Sequence, residues 1–159
     1  MAAEVALQGF DVLSQAGRTD YSYDLSVAST RGMMKIMVHG SLDGLWDLVD
    51  PNLAATKPGQ QDDHRAIDLW LERYRRVACC LVEFDAANLG GMPRIYLTTA
   101  AELARMLHEN VAAAGELRLG RHASLPQRWR FTEERIAEVM GAGGENQPPK
   151  SPQYLPMVS

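Results

Sequence analysis

The sequence has two cysteines, 7% aromatic residues, no excess of positive charge and no apolar run near the ~20 residues that a bilayer-spanning helix needs. Each of these shortages removes a class of protein. Cys79 and Cys80 are neighbours in the chain, so on a strand they point to opposite faces, poorly placed to bridge each other or to share a metal. A structural zinc takes four spaced ligands, and no Cys/His pattern supplies them; both thiols are expected to be buried. Sixteen Lys and Arg against twenty Asp and Glu leave a formal charge of −4. That balance excludes a strongly basic, sequence-blind nucleic-acid coat and leaves room only for a local basic patch. The opening MAAEVALQGF carries an acid and lacks a basic segment followed by a long apolar core, so no secretory signal is expected. The expectation is a cytoplasmic protein with no membrane partner.

What remains is an ordinary globular composition: 159 residues, 46% apolar and 23% charged. One domain is expected over residues 1–141, followed by a flexible Pro-rich tail at 142–159. Met1 to Gly9 reads as a short helix ended by a glycine. Phe10–Ser14, Tyr23–Ala28 and Met33–His39 alternate as strands, separated by turn-forming residues, and predict an antiparallel meander. Leu45–Val49 reads as a fourth strand, followed by a polar loop from Pro51 to Gln61. Asp62 and Asp63 sit just ahead of a helix running to about Arg76, on which Ile67, Trp70, Leu71 and Tyr74 recur at helical spacing. The almost wholly apolar Val77–Val82 predicts a strand covered on both faces, at the sheet centre. Arg94–Leu97 is its hairpin partner. Thr99 and Glu102 form a capping-box pattern for a helix that Gly115 closes, and Thr132 opens a last helix ending near Gly141.

The segment GFDVLSQAGRTDYSYDLSVASTRGMMKIMVHGS resembles the nuclease-like core of the PD-(D/E)XK superfamily. It looks most like a small bacterial branch reading roughly G-x-x-V, YDL-x-V and (E/Q)-V-K-(S/G). LWDLVD, LVEFD, PRIYLTTAAELARML and LPQRWRFTEERI continue the similarity to about residue 140. The resemblance implies an α/β, restriction-endonuclease-like core: a mixed sheet of about six strands flanked by helices. It implies a carboxylate on the second strand that binds Mg²⁺ or Mn²⁺, with an acid or glutamine two residues before a lysine on the third. Hard divalent cations prefer oxygen ligands, and the metal would polarise a phosphate oxygen and activate water. By position, Asp24 of YDL is the inherited metal carboxylate.

The rest of the motif departs from the pattern. Met37 stands where the family has Glu or Gln, and a thioether is a soft group that Mg²⁺ does not prefer. His39 stands where the lysine belongs and lacks its permanent charge at neutral pH. Lys35 shares a strand face with Met37 and His39, which leaves a migrated lysine open. Glu83 and Asp85 follow the apolar strand and would add carboxylates only if they faced Asp24. Asp24 could equally cap a turn or pair with an arginine, and His39 could be a satisfied strand-end histidine. Asp62-Asp63-His64 is explained by a helix start, where acids complement the dipole.

Two basic groups are candidates for nucleic-acid contact. Arg73, Arg75 and Arg76 could line a phosphate groove with Arg94, although cations at a helix C-terminus are also favoured by the dipole. Arg118, Arg121, Arg128 and Arg130 surround Trp129, a mixture met in single-strand binders, while a tryptophan packed in the core with its N–H satisfied is the alternative. The leading expectation is a nuclease-fold protein without metal chemistry, needing no cofactor and acting as a binding or assembly module. The alternatives are an active endonuclease using Asp24, His39 and Lys35 or Glu83 with Mg²⁺ or Mn²⁺, and a partner or inhibitor of a related nuclease. DNA, a protein, or a second copy in a homodimer are the candidate partners.

Overall fold

A computed structural model describes residues 2–7, 9–14, 23–30, 32–54, 62–86, 90–120 and 125–142. The polar segments at 15–22 and 55–61, Arg121 and the tail beyond Ala142 lie outside the described residues. The chain runs α1 (Ala2–Leu7), β1 (Asp11–Ser14), β2 (Leu25–Ser29), β3 (Gly32–Ser41), α2 (Asp63–Tyr74), β4 (Val77–Glu83), β5 (Arg94–Thr99), α3 (Ala100–Ala114) and α4 (Glu133–Ala142). Short 3₁₀ turns occupy Pro51–Ala54 and Gln127–Trp129.

Five strands form one mixed sheet in the order β1-β2-β3-β4-β5. The meander is present: β1 with β2 and β2 with β3 are antiparallel. β3 and β4 are parallel, which forces a crossover, and α2 supplies it. β4 and β5 then close an antiparallel pair with Glu83 opposite Arg94. The middle position belongs to β3 and not to β4. β4 is apolar from Val77 to Val82 because it is covered on both faces: Cys79 and Leu81 pack beneath α2 and α3, whereas Ala78, Cys80 and Val82 pack with α4. The two thiols thus lie on opposite faces, both buried and free of a disulfide.

Among the described residues the sheet has five strands where six were expected, and the missing one is Leu45–Val49. Only Trp46 makes a bridge, to Leu119, and the segment is otherwise outside the sheet. The cause lies just after β3. The Ser41 hydroxyl accepts from the N–H groups of Asp43 and Leu45, and Asp43 Oδ1 accepts from the Leu45 N–H as well. That local turn takes the chain off the sheet, and Trp46, Leu48 and Val49 are buried in the helix-side core instead.

The helix signals in the sequence correspond to real caps. Asp62 accepts from the Arg65 N–H at 3.0 Å, and α2 ends at Tyr74, two residues short of the expected Arg76. Thr99 and Glu102 make both halves of a capping box, and Gly115 ends α3 at φ 69°, a left-handed conformation that glycine adopts without a Cβ penalty. Thr132 Oγ1 caps α4 through the Arg135 N–H at 3.1 Å.

Candidate functional site

The start of β2 and the second half of β3 bring Asp24, Met37 and His39 together. The Asp24 N–H donates to the Ile36 carbonyl at 2.8 Å, and Asp24 Oδ2 accepts from the Val38 N–H at 2.7 Å. The carboxylate therefore takes the place of a main-chain acceptor where β2 begins, and the residue level with it is Met37. Asp24 therefore stands at the edge of the β2–β3 pair with its carboxylate on the Val38 N–H. The residue beside it carries a thioether, and Met37 packs into the core under α2 and α3.

His39 is held more by packing than by chemistry. Its carbonyl accepts from the Trp46 indole N–H at 3.3 Å, and its Nε2 is buried with no hydrogen-bond partner among the described residues. Burial lowers its pKa below the usual 6.5, only partly opposed by the charge of Asp24. The ring thus favours its neutral form at pH 7, unlike the permanently charged lysine that the resemblance implies there. A depressed histidine pKa stabilises the fold above the unfolded value near 6.5, and this stability is lost as pH falls through the folded value. Replacing His39 by Leu should leave the melting temperature equal or higher at pH 7, because it removes an unpartnered buried nitrogen. It should also remove part of the destabilisation below about pH 6.5; calorimetry of both proteins across that range checks this.

The remaining candidates are engaged elsewhere. The Lys35 ammonium sits 4.8 Å from the centroid of the Tyr23 ring, a cation–π contact. Glu83 accepts from Arg94 at 2.8 Å and is level with Ser41, four residues beyond Cys79, the partner of Met37. That places Glu83 roughly 13 Å along the strands and about 10 Å across them from Asp24. The two carboxylates cannot share an ion, and among the described residues no group of three His, Cys, Asp or Glu could hold one. A divalent metal does not fit this donor set.

The proposed phosphate groove is also divided. Arg75 and Arg76 precede β4, while Arg94 faces Glu83 at its far end, so the length of the strand, roughly 20 Å, separates them. Arg73 rests against the Tyr74 ring. In the second cluster, Arg118 pairs with Asp47, Arg128 lies 3.6 Å from Glu102, and Arg130 stacks over Tyr96. Trp129 is fully buried and offers no stacking platform; its indole N–H has no partner among the described residues, contrary to the usual pattern for a core tryptophan.

Two clusters escaped sequence reasoning. Arg135, only 3% exposed, reaches from α4 to the Leu97 carbonyl, Glu102 and Glu138. His64 and Asp68 on α2 meet His108 on α3. The one available signal was the i, i+4 spacing of His64 and Asp68; nothing in the sequence pairs them with His108, or Arg135 with Glu102.

No family model, curated protein or solved structure matches the chain. No helix among the described residues is long and apolar enough to cross a membrane.

Proposed function

We propose that the chain is a nuclease-like scaffold without metal-dependent phosphodiesterase chemistry, serving as a binding or assembly module. The observation that carries this reading is the level of Asp24 with Met37: one carboxylate, already holding a backbone N–H, beside a thioether. A leading helix, three antiparallel strands, a crossover helix and a parallel fourth strand support the kinship with the PD-(D/E)XK core. Kinship of fold leaves function to the site, and here the site residues have changed.

A protein partner suits the surface better than a nucleic acid. The arginines are dispersed or engaged, as described, and the chain is acidic. Leu42, Phe84 and Met92 are 59%, 38% and 85% exposed, all at the end of the sheet where β3 and β4 finish and β5 begins. Exposed apolar residues grouped in this way favour association. A second copy of the chain is the first partner to examine, by sedimentation equilibrium.

The decisive experiment is nicking of supercoiled plasmid with Mg²⁺ or Mn²⁺, comparing the wild type with Asp24→Ala. The expected result is no cleavage above background by either, with both proteins folded by circular dichroism. Cleavage by the wild type that disappears in the variant would overturn the proposal in favour of a live endonuclease rebuilt around His39.

A further inference from the structure

Away from the β2–β3 site, α2 and α3 are joined on their solvent side by an unusual contact. His64 Nδ1 and His108 Nδ1 are 2.8 Å apart, and His108 Nε2 lies 3.1 Å from Asp68 Oδ1. The two rings are within 10° of parallel with centroids 5.1 Å apart. That separation is what rings meeting edge to edge give once their radii are added to the nitrogen contact. The pair is therefore joined in plane through a shared hydrogen, and not by face-to-face stacking.

The positions of the protons follow from the partners. An ionised carboxylate only accepts, so His108 Nε2 carries the hydrogen that Asp68 receives. In neutral His108, Nδ1 is then a lone pair, and the hydrogen between the rings belongs to His64 Nδ1. This leaves His64 Nε2 as the basic atom. A first added proton there makes His64 an imidazolium that still donates to His108, now in a charge-assisted bond. A second proton has only His108 Nδ1 left. It would set two N–H groups head to head at the same contact and place two like charges side by side, with Asp68 the carboxylate bonded to the pair.

We propose that His64, His108 and Asp68 form a proton-operated clasp that ties α2 to α3 while the histidine pair carries at most one extra proton and opens when it carries two. The surroundings do not override this logic. On α2, Asp63 and Arg65 flank His64, and Glu72 lies one turn beyond Asp68. On α3, Arg105 and Glu109 flank His108 and pair with each other at 3.0 Å. The 3₁₀ turn Pro51–Ala54, which packs on α2, carries no ionisable side chain, and Asp50 before it holds Asn52. Beneath the clasp, Ile67, Trp70, Leu103 and Leu107 keep the helices in apolar contact. Opening thus loosens the outer seam between the helices and leaves the core closed. His108 and Asp68 side chains are 32% and 63% exposed, so solvent protons reach them.

The test is nitrogen-resolved NMR of the imidazole rings on the full chain, titrated from neutral to mildly acidic pH. Both rings should shift together in two steps, as coupled sites do, with α2 amide exchange rising about threefold or more at the second step. His64→Phe should reduce His108 to one step. Asp68→Asn should move both steps to lower pH, since it removes the charge that favours protonation and keeps an acceptor oxygen; a merely structural contact would not show that shift. Independent single-step titrations of the two rings would overturn the clasp. So would stoichiometric capture of added Zn²⁺ by the pair, which would make it a metal site.

Discussion

Arg135→Met should cost about 3–5 kcal/mol of folding stability, read as a fall in the urea midpoint with an unchanged slope. The magnitude follows from what the guanidinium does. It lies almost wholly inside the protein, its Nε donates to the Leu97 carbonyl at 3.0 Å, and its two terminal nitrogens meet Glu102 and Glu138. Removing it leaves the Leu97 carbonyl and the Glu102 carboxylate without their main partner. Glu138 is 64% exposed, so Glu138→Ala should cost under about 1 kcal/mol and serves as the control.

The same cluster sets an acid limit on stability. Burial pushes the Glu102 carboxyl up, but hydrogen bonds from the Thr99 backbone, Arg135 and Thr98 and the Arg135 charge together bring it from 4.5 down to about 2. A depressed carboxylate contributes stability that is present above the unfolded value of 4.5 and is lost as pH falls toward 2. Its share, after a discount for solvent screening of a carboxylate that is still partly exposed, is on the order of 2 kcal/mol. Glu102→Gln should flatten the dependence of the urea midpoint on pH between those values. An unchanged slope in the variant would show that other groups govern acid unfolding.

The second large effect concerns the β2–β3 site. The double substitution Met37→Glu with His39→Lys should raise Mn²⁺ affinity by about tenfold or more over the wild type, followed by the paramagnetic signal of the free ion. The physical basis is that a carboxylate introduced at position 37 would be level with Asp24, whose Oδ1 accepts no hydrogen bond from Val38. Lysine would replace a ring whose inner nitrogen has no partner among the described residues. Adding Asp24→Ala to this background should abolish the gain. Because folding of the double variant can be checked independently by circular dichroism, absence of binding in a folded protein would count against the nuclease-like origin of the site. The plasmid assay, by contrast, bears on present activity.

Much of the scaffold was legible because it depends on local chemistry. Thr99, Glu102, Gly115, Asp62 and Thr132 all act within one turn of themselves, and their roles follow from residue type and spacing. The meander was readable from period-two alternation. Leu45–Val49 misled for a physical reason: buried Trp46, Leu48 and Val49 have the composition of a strand, whereas two side chains upstream, Ser41 and Asp43, decide where that segment goes. Asp24, Met37 and His39 could be singled out in the sequence and lie near one another at the β2–β3 pair, but that the Asp24 carboxylate holds a backbone N–H, that Glu83 belongs to Arg94, and that Arg94 is a strand's length from Arg76 are all matters of register. Register and long-range ion pairs arise between segments far apart in sequence, where residue spacing carries no signal.

The parallel junction of β3 and β4 also governs the order in which the molecule can assemble. Everything on either side of it is built from neighbours in sequence: the meander on one flank, and the β4–β5 pair with α3 on the other. The junction itself joins Lys35 to Val77 and the residues that follow, and it can close only after the chain has looped through α2. Loop-closure entropy is spent there before any contact repays it, so docking of the two flanks is expected to be slower than the closing of either flank. Until they pair, β3 and β4 each leave an open strand edge, the kind of edge that can pair with another copy of the chain.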